Sequence, residues 1–151
     1  MKEKEQIQNE MRVQLPSMSV NESVARSVVA AFCAQLDPSM IELADIKCVV
    51  SEAVTNCIVH AYKDTVGIIY ISVALYKSGL VRIEIRDRGV GIGDVKQARE
   101  PLFTTDAQSE RSGMGFTVME SFSDKIRVYS KPGVGTRVVM YKRLSGKGEI
   151  A

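Results

Sequence analysis

Residues 50–76 read VSEAVTNCIVHAYKDTVGIIYISVALY. The stretch changes its period halfway. Up to Tyr62 the apolar residues recur at helical spacing, closing a run that begins near Ser39. After Val66 they alternate, so that Ile69, Ile71, Val73 and Leu75 share one face of a strand ending at Tyr76. The alternation resumes over Leu80–Arg86 with Val81, Ile83 and Ile85, and Lys77-Ser78-Gly79 has the composition of the hairpin turn between the two strands.

The surrounding segments extend this pattern. Downstream, Lys125–Lys131 and Thr136–Leu144 flank Pro132-Gly133-Val134-Gly135, a second hairpin. Between the hairpins lie two short helical candidates, Asp94–Glu100 and Met114–Phe122, separated by turn chemistry and charge over Pro101–Gly113. Upstream, Val13–Leu15 is expected as a short edge strand ending at Pro16. Asn21 is the expected N-cap of a first helix, with Ser23 as the second candidate, and Val24, Val28, Ala31, Phe32 and Leu36 supply its apolar stripe. Asp37-Pro38 stops that helix, since proline disfavours helix in the residue before it. Ser39 with Glu42 three residues later forms a capping box for the long helix. Hairpins segregated from helices predict an α+β two-layer sandwich: a mixed, mostly antiparallel sheet with helices on one face. The expected organisation is a flexible polar segment over residues 1–8, one domain over 9–144 and a flexible tail over 145–151.

Composition narrows the functional class. A chain of 151 residues, 45% hydrophobic and 25% charged, suits a single soluble domain. Its 20 basic and 18 acidic side chains leave a net +2, so charge balance gives no reason to expect nucleic-acid binding. No apolar run approaches the ~20 residues that cross a bilayer, and Met1–Glu10 is charged where a signal peptide would be apolar. A cytoplasmic location and no membrane contact are expected. The three cysteines, Cys33, Cys48 and Cys57, are widely spaced and read as buried thiols without partners. A single histidine, His60, is too little for a zinc site.

Three places carry chemistry. On the long helix, Ile46, Val49, Val50, Ala53, Cys57 and Ala61 form the buried arc, and Glu52, Asn56 and His60 run at i, i+4, i+8 along its border. A half-buried carboxylate and amide need partners, and an amide oxygen with phosphate oxygens suits Mg²⁺, which keeps waters and takes few protein ligands. Asp87 continues the inward parity of Val81, Ile83 and Ile85. An acceptor at a strand end, followed by Gly89 and Gly91, is a candidate for the exocyclic amine of a base. Finally, Gly113 and Gly115 precede a helix, where backbone N–H groups favour an anion. Arg111 is placed to reach a terminal phosphate, and Thr104 and Thr105 look like lid residues. The loop is neither a Walker loop nor a dinucleotide fingerprint.

Taken in order, Glu52-x-x-x-Asn56 on a helix, Asp87-x-Gly89-x-Gly91 and Gly113-x-Gly115 resemble the asparagine box and two glycine boxes of the GHKL ATPases, which include gyrase and the histidine kinases. The strings Val50–Asn56, Pro101–Thr105, Glu110–Phe116 and Asn21-Glu22-Ser23 with Ala25-Arg26 are more specific. They resemble the sporulation anti-sigma factor kinases, from about Asn9 to Lys142.

The resemblance implies a protein serine kinase that binds ATP or ADP with Mg²⁺. It would hold a sigma F-like sigma factor as a homodimer and phosphorylate a serine of an anti-anti-sigma partner with a STAS domain, with no direct nucleic-acid contact. It implies Glu52 as general base, Asn56 on Mg²⁺ and Asp87 on adenine with Thr136 nearby. Gly89, Gly91, Ile92, Gly113, Met114, Gly115 and Phe116 would shape the pocket and phosphate loop, beneath Thr104 and Thr105. Arg111 would lie near the γ-phosphate and Arg26 would dock a partner. The alternative is a nucleotide-switched anti-sigma factor of a related stress-response system, without efficient kinase activity. A histidine-kinase reading would need a phosphoacceptor histidine on a separate helix, and His60 belongs to the nucleotide helix.

Overall fold

The computed structural model describes residues 5–93 and 115–146. Five strands form one sheet: β1 (Ile7–Pro16), β2 (Ile68–Tyr76), β3 (Leu80–Asp87), β4 (Lys125–Lys131) and β5 (Gly135–Arg143). Their order is β1-β2-β3-β5-β4, and every pairing is antiparallel. Three helices, α1 (Val20–Cys33), α2 (Met40–Asn56) and α3 (Gly115–Ser121), cover one face. The parity read from sequence is the parity of the core: Ile69, Ile71, Val73 and Leu75 of β2 and Val81, Ile83 and Ile85 of β3 are all buried. They meet Ile46, Val49, Val50 and Ala53 of α2 and Val29 and Cys33 of α1. Truncating a side chain as enclosed as Ile46 or Leu75 to alanine costs about 2–5 kcal/mol, because the packed surroundings do not collapse into the void.

Local chemistry sets the ends of α2. The Ser39 hydroxyl accepts from the Glu42 N–H at 3.1 Å, and Glu42 accepts from the Ser39 N–H at 2.9 Å, completing the expected box. The same carboxylate accepts from the N–H and hydroxyl of Ser145, both at 2.9 Å. Burial works to raise the pKa of Glu42, but its hydrogen bonds with Ser39 and Ser145 outweigh it and hold the carboxyl below its ordinary value. Beyond Asn56 the helix widens over Cys57–Ala61 into an i→i+5 turn, closed by Tyr62 N–H to Cys57 C=O at 2.9 Å. Such wide turns mark functional positions more often than ordinary helix does.

Several expectations need correction. The first strand is ten residues long and reaches back to Ile7, well before Val13. α1 starts at Val20, ahead of the expected Asn21 cap; Ser19 precedes it and makes no side-chain cap bond. The Asn21 amide donates instead to the carbonyl of Pro16 at 2.9 Å, tying the helix to the end of β1. Cys48 is exposed, whereas Cys33 and Cys57 are buried, and burial pushes the Cys33 thiol up to about 12. All three cysteines are unpaired. The helix expected over Asp94–Glu100 lies outside the described residues. Among the described residues, no helix is long and apolar enough to cross a membrane.

Candidate functional site

Asp87 is the last residue of β3 and is 5% exposed. Its Oδ1 accepts from the N–H of Gly89 at 2.9 Å and of Thr136 at 3.2 Å. Its Oδ2 faces the thiol of Cys57, at 3.6 Å, from the wide turn of α2. Burial pushes the carboxyl of Asp87 above its ordinary value, against the pull of these three donors. Burial and the neighbouring Asp87 together push the Cys57 thiol well up, so it stays protonated and available as a donor.

The glycines around this carboxylate are dictated by close backbone approach. A Cβ on Gly89 would stand 2.2 Å from the carbonyl of Ala61, where Val90 N–H donates at 3.1 Å. Gly91 has φ +77°, and a Cβ there would strike the carbonyl of Lys131. A non-glycine residue at either position would push the loop off the helix end or off β4.

Three positions that were given no role at the site from sequence hold the loop in place. Tyr62 donates to the carbonyl of Ile68 at 2.6 Å and accepts from the N–H of Arg88 at 2.7 Å, joining the end of α2 to β2 and β3. Ser130 accepts from the N–H of Ile92 at 2.7 Å and donates to the carbonyl of Gly135 at 3.0 Å. Its one proton is then used, so the Thr136 hydroxyl, 2.8 Å away, is the donor in their contact. Cys57, read only as a small hydrophobe, is the third. Nothing local in the sequence marks these residues, since each acts on a partner from another element.

Further along α2, Glu52 and Asn56 stand one turn apart, and α3 begins against both. A Cβ on Gly115 would meet Glu52 Oε2 at 3.3 Å, Asn56 Nδ2 at 3.5 Å and Asn56 Oδ1 at 3.6 Å. Gly115 therefore lets the start of α3 approach this pair. Phe116 turns into the core, 9% exposed, and seats α3. Glu52 also lines an open groove of about 980 Å³ between α1 and α2, with Arg26, Lys47, Cys48, Ser51 and Thr55. Arg26 is half-exposed there and pairs with Glu22 one turn before it at 3.2 Å. Thr104, Thr105, Arg111, Gly113 and Met114 lie outside the described residues. Among the described residues, no group of three or more His, Cys, Asp or Glu side chains forms a metal cluster. A cation here would rely on the Asn56 amide oxygen with ligand oxygens and water, a donor set that fits Mg²⁺.

The sequence profile of the histidine kinase-like ATPase domain matches residues 15–142. The anti-sigma F factor of Bacillus licheniformis is 55% identical over 140 residues, covering 92% of this chain and 95% of that protein. That of Anoxybacillus flavithermus is 54% identical over 140 residues, with the same coverage. Among solved structures, the RsbU and RsbW domains of a Mycobacterium tuberculosis protein share the fold, with a TM-score of 0.65 at 20% identity. That match covers 90% of this chain and 32% of the other.

Proposed function

This chain belongs to the anti-sigma F factor group of the histidine kinase-like ATPase family, and on that premise we propose that it is an ATP-dependent serine kinase that also sequesters a sigma factor. The sigma factor is sigma F-like. The phosphoacceptor is a serine on an anti-anti-sigma partner with a STAS domain. The protein acts as a cytoplasmic homodimer. The observation that supports this reading best is that Glu52 belongs to two places at once. It touches the start of α3 beside Asn56, and it lines the groove that carries Arg26.

The residues divide the work. Asp87, with Oδ2 turned toward Cys57, accepts the amine of adenine, and Thr136 and Gly89 hold the carboxylate in position. Gly91 and Ile92 belong to the loop on the base side, and by the family resemblance Gly113, Met114 and Gly115 would serve the phosphates, with Thr104 and Thr105 as lid residues. Asn56 would hold Mg²⁺, which when bound neutralises phosphate charge. By the same resemblance Arg111 would serve the γ-phosphate. A partner serine entering along the groove past Arg26 meets Glu52. Its oxygen forms the new bond to the γ-phosphorus as the bond to the β-phosphate oxygen breaks, and its proton passes to the Glu52 carboxylate. ADP is the leaving product.

The test is transfer from labelled ATP to a serine-bearing anti-anti-sigma protein and to its serine-to-alanine variant. Label on the first and none on the second is expected. Label retained on His60 of this chain, or no transfer while ATP binds, overturns the kinase reading.

A further inference from the structure

We propose that the outward face of the sheet, opposite the helices, docks an acidic segment of a partner protein. The strand register lays three rows across all five strands. One row runs Glu10, Ala74, Arg82, Tyr141, Lys125; the next Arg12, Ser72, Glu84, Val139, Arg127; the third Gln14, Tyr70, Arg86, Arg137, Tyr129. These rows hold six cations against two carboxylates, in a chain whose whole net charge is only +2. Positive charge is thus gathered on one face, and the three helices of the described residues pack on the other.

Four of the six cations are also held in place. Arg86 and Arg88 lie over the ring of Tyr70 at 4.7 and 5.0 Å, and Arg137 over Tyr129 at 4.4 Å. Arg82 and Lys125 take the ring of Tyr141 at 6.0 and 5.9 Å. Rings carrying guanidinium groups make a patch rich in the residues that dominate protein interfaces. Strands ~4.8 Å apart and rows ~6.8 Å apart give a face about 19 Å by about 14 Å, room for a short segment and smaller than one side of a standard protein interface.

Two observations select a protein over a nucleic acid. Glu84 sits at the centre of the patch, 3.0 Å from Arg137 and 3.9 Å from Arg82. A phosphate backbone of uniform charge is repelled there, whereas a protein segment can set a neutral or basic residue opposite. The rings of Tyr70 and Tyr141 are half-buried and each carries two cations, which leaves Tyr129 as the one exposed platform in these rows on which a base could stack.

The experiment titrates isotope-labelled full-length protein with a peptide of alternating glutamate and alanine, and separately with a thymidine oligonucleotide of equal charge, at about 0.15 M salt. The peptide is expected to shift the amide resonances of β3, β4 and β5 and to bind more tightly than the oligonucleotide. Lys125→Glu with Arg127→Glu should weaken the peptide about tenfold and leave ATP affinity unchanged. Should that variant not fold, Lys125→Ala with Arg127→Ala is read in the same titration. No peptide binding, peptide shifts confined to the α1–α2 groove, or an oligonucleotide that binds as tightly as the peptide would each overturn the proposal.

Discussion

The thiol of Cys57 stands 3.6 Å from Oδ2 of Asp87, the oxygen left open by the two backbone N–H groups that bind Oδ1. The wide turn after Asn56 brings Cys57 to this position. Its weak S–H donor leaves most of the accepting capacity of Oδ2 for a ligand.

Cys57→Ala removes one of the three donors that orient Asp87. ATP affinity is expected to fall by a few-fold, within the ~1 kcal/mol of a modest hydrogen bond. Cys57→Ser, which keeps a donor, should restore it. Equal affinity in all three proteins, measured by nucleotide titration, would show that the thiol is only filler.

Asp87→Asn keeps the acceptor for Gly89 and Thr136 but loses the charge. Nucleotide affinity should fall about ten- to a hundredfold, the equivalent of roughly 1.5–3 kcal/mol for a hydrogen bond to a charged group. Folding should respond with the opposite sign. Because burial holds the native carboxyl above its ordinary 3.8, it takes up a proton more readily folded than unfolded. Its contribution to stability is therefore greatest below 3.8 and is lost as the pH rises through the native value. Without nucleotide, wild type should gain stability over Asp87→Asn on acidification, as chemical denaturation at two pH values would reveal. A gain in the reverse direction contradicts the assignment.

Glu52→Gln should bind ATP and sigma factor nearly as wild type does, while phosphoryl transfer drops by the 10²–10⁴-fold typical of a lost general base. Single-turnover transfer and nucleotide affinity on one preparation separate the possibilities. Transfer within a few-fold of wild type removes Glu52 from the chemistry; a parallel loss of affinity gives it a binding role.

Asn56→Ala should abolish the Mg²⁺ dependence of ATP binding, since the amide oxygen is the proposed protein ligand. Affinity measured with Mg²⁺ and with chelator should converge in the variant. A persistent difference places the cation elsewhere.

The sheet has two edges. β4 spans seven residues and carries Lys125, Arg127 and Lys131 on its outward side, a common protection against edge pairing. β1 is ten residues long and, among the described residues, pairs with β2 alone, so homodimerisation is expected through this edge. Sedimentation equilibrium with ATP present should give twice the chain mass; a monomer at high concentration ends this expectation.

The sequence by itself determined several features that depend on near neighbours. The capping box at Ser39 and Glu42, the stop at Asp37-Pro38, the two hairpins and the inward parity of Asp87 rest on contacts a few residues apart or on a period of two. The order of the three boxes along the chain carried the family resemblance. Only the tertiary structure decided how these pieces meet. Asp87 finds Cys57 thirty residues away and Thr136 forty-nine residues away, because the α2 turn and the β3–β5 register converge on it. Gly89 is required by the carbonyl of Ala61, Gly91 by that of Lys131, and Ser130 gains its role only when Ile92 reaches it. Even the start of α1 moved ahead of Asn21, whose side chain found the end of β1. A local signal fixes dihedral angles; a partner across the sheet is fixed by packing, which no window of sequence contains.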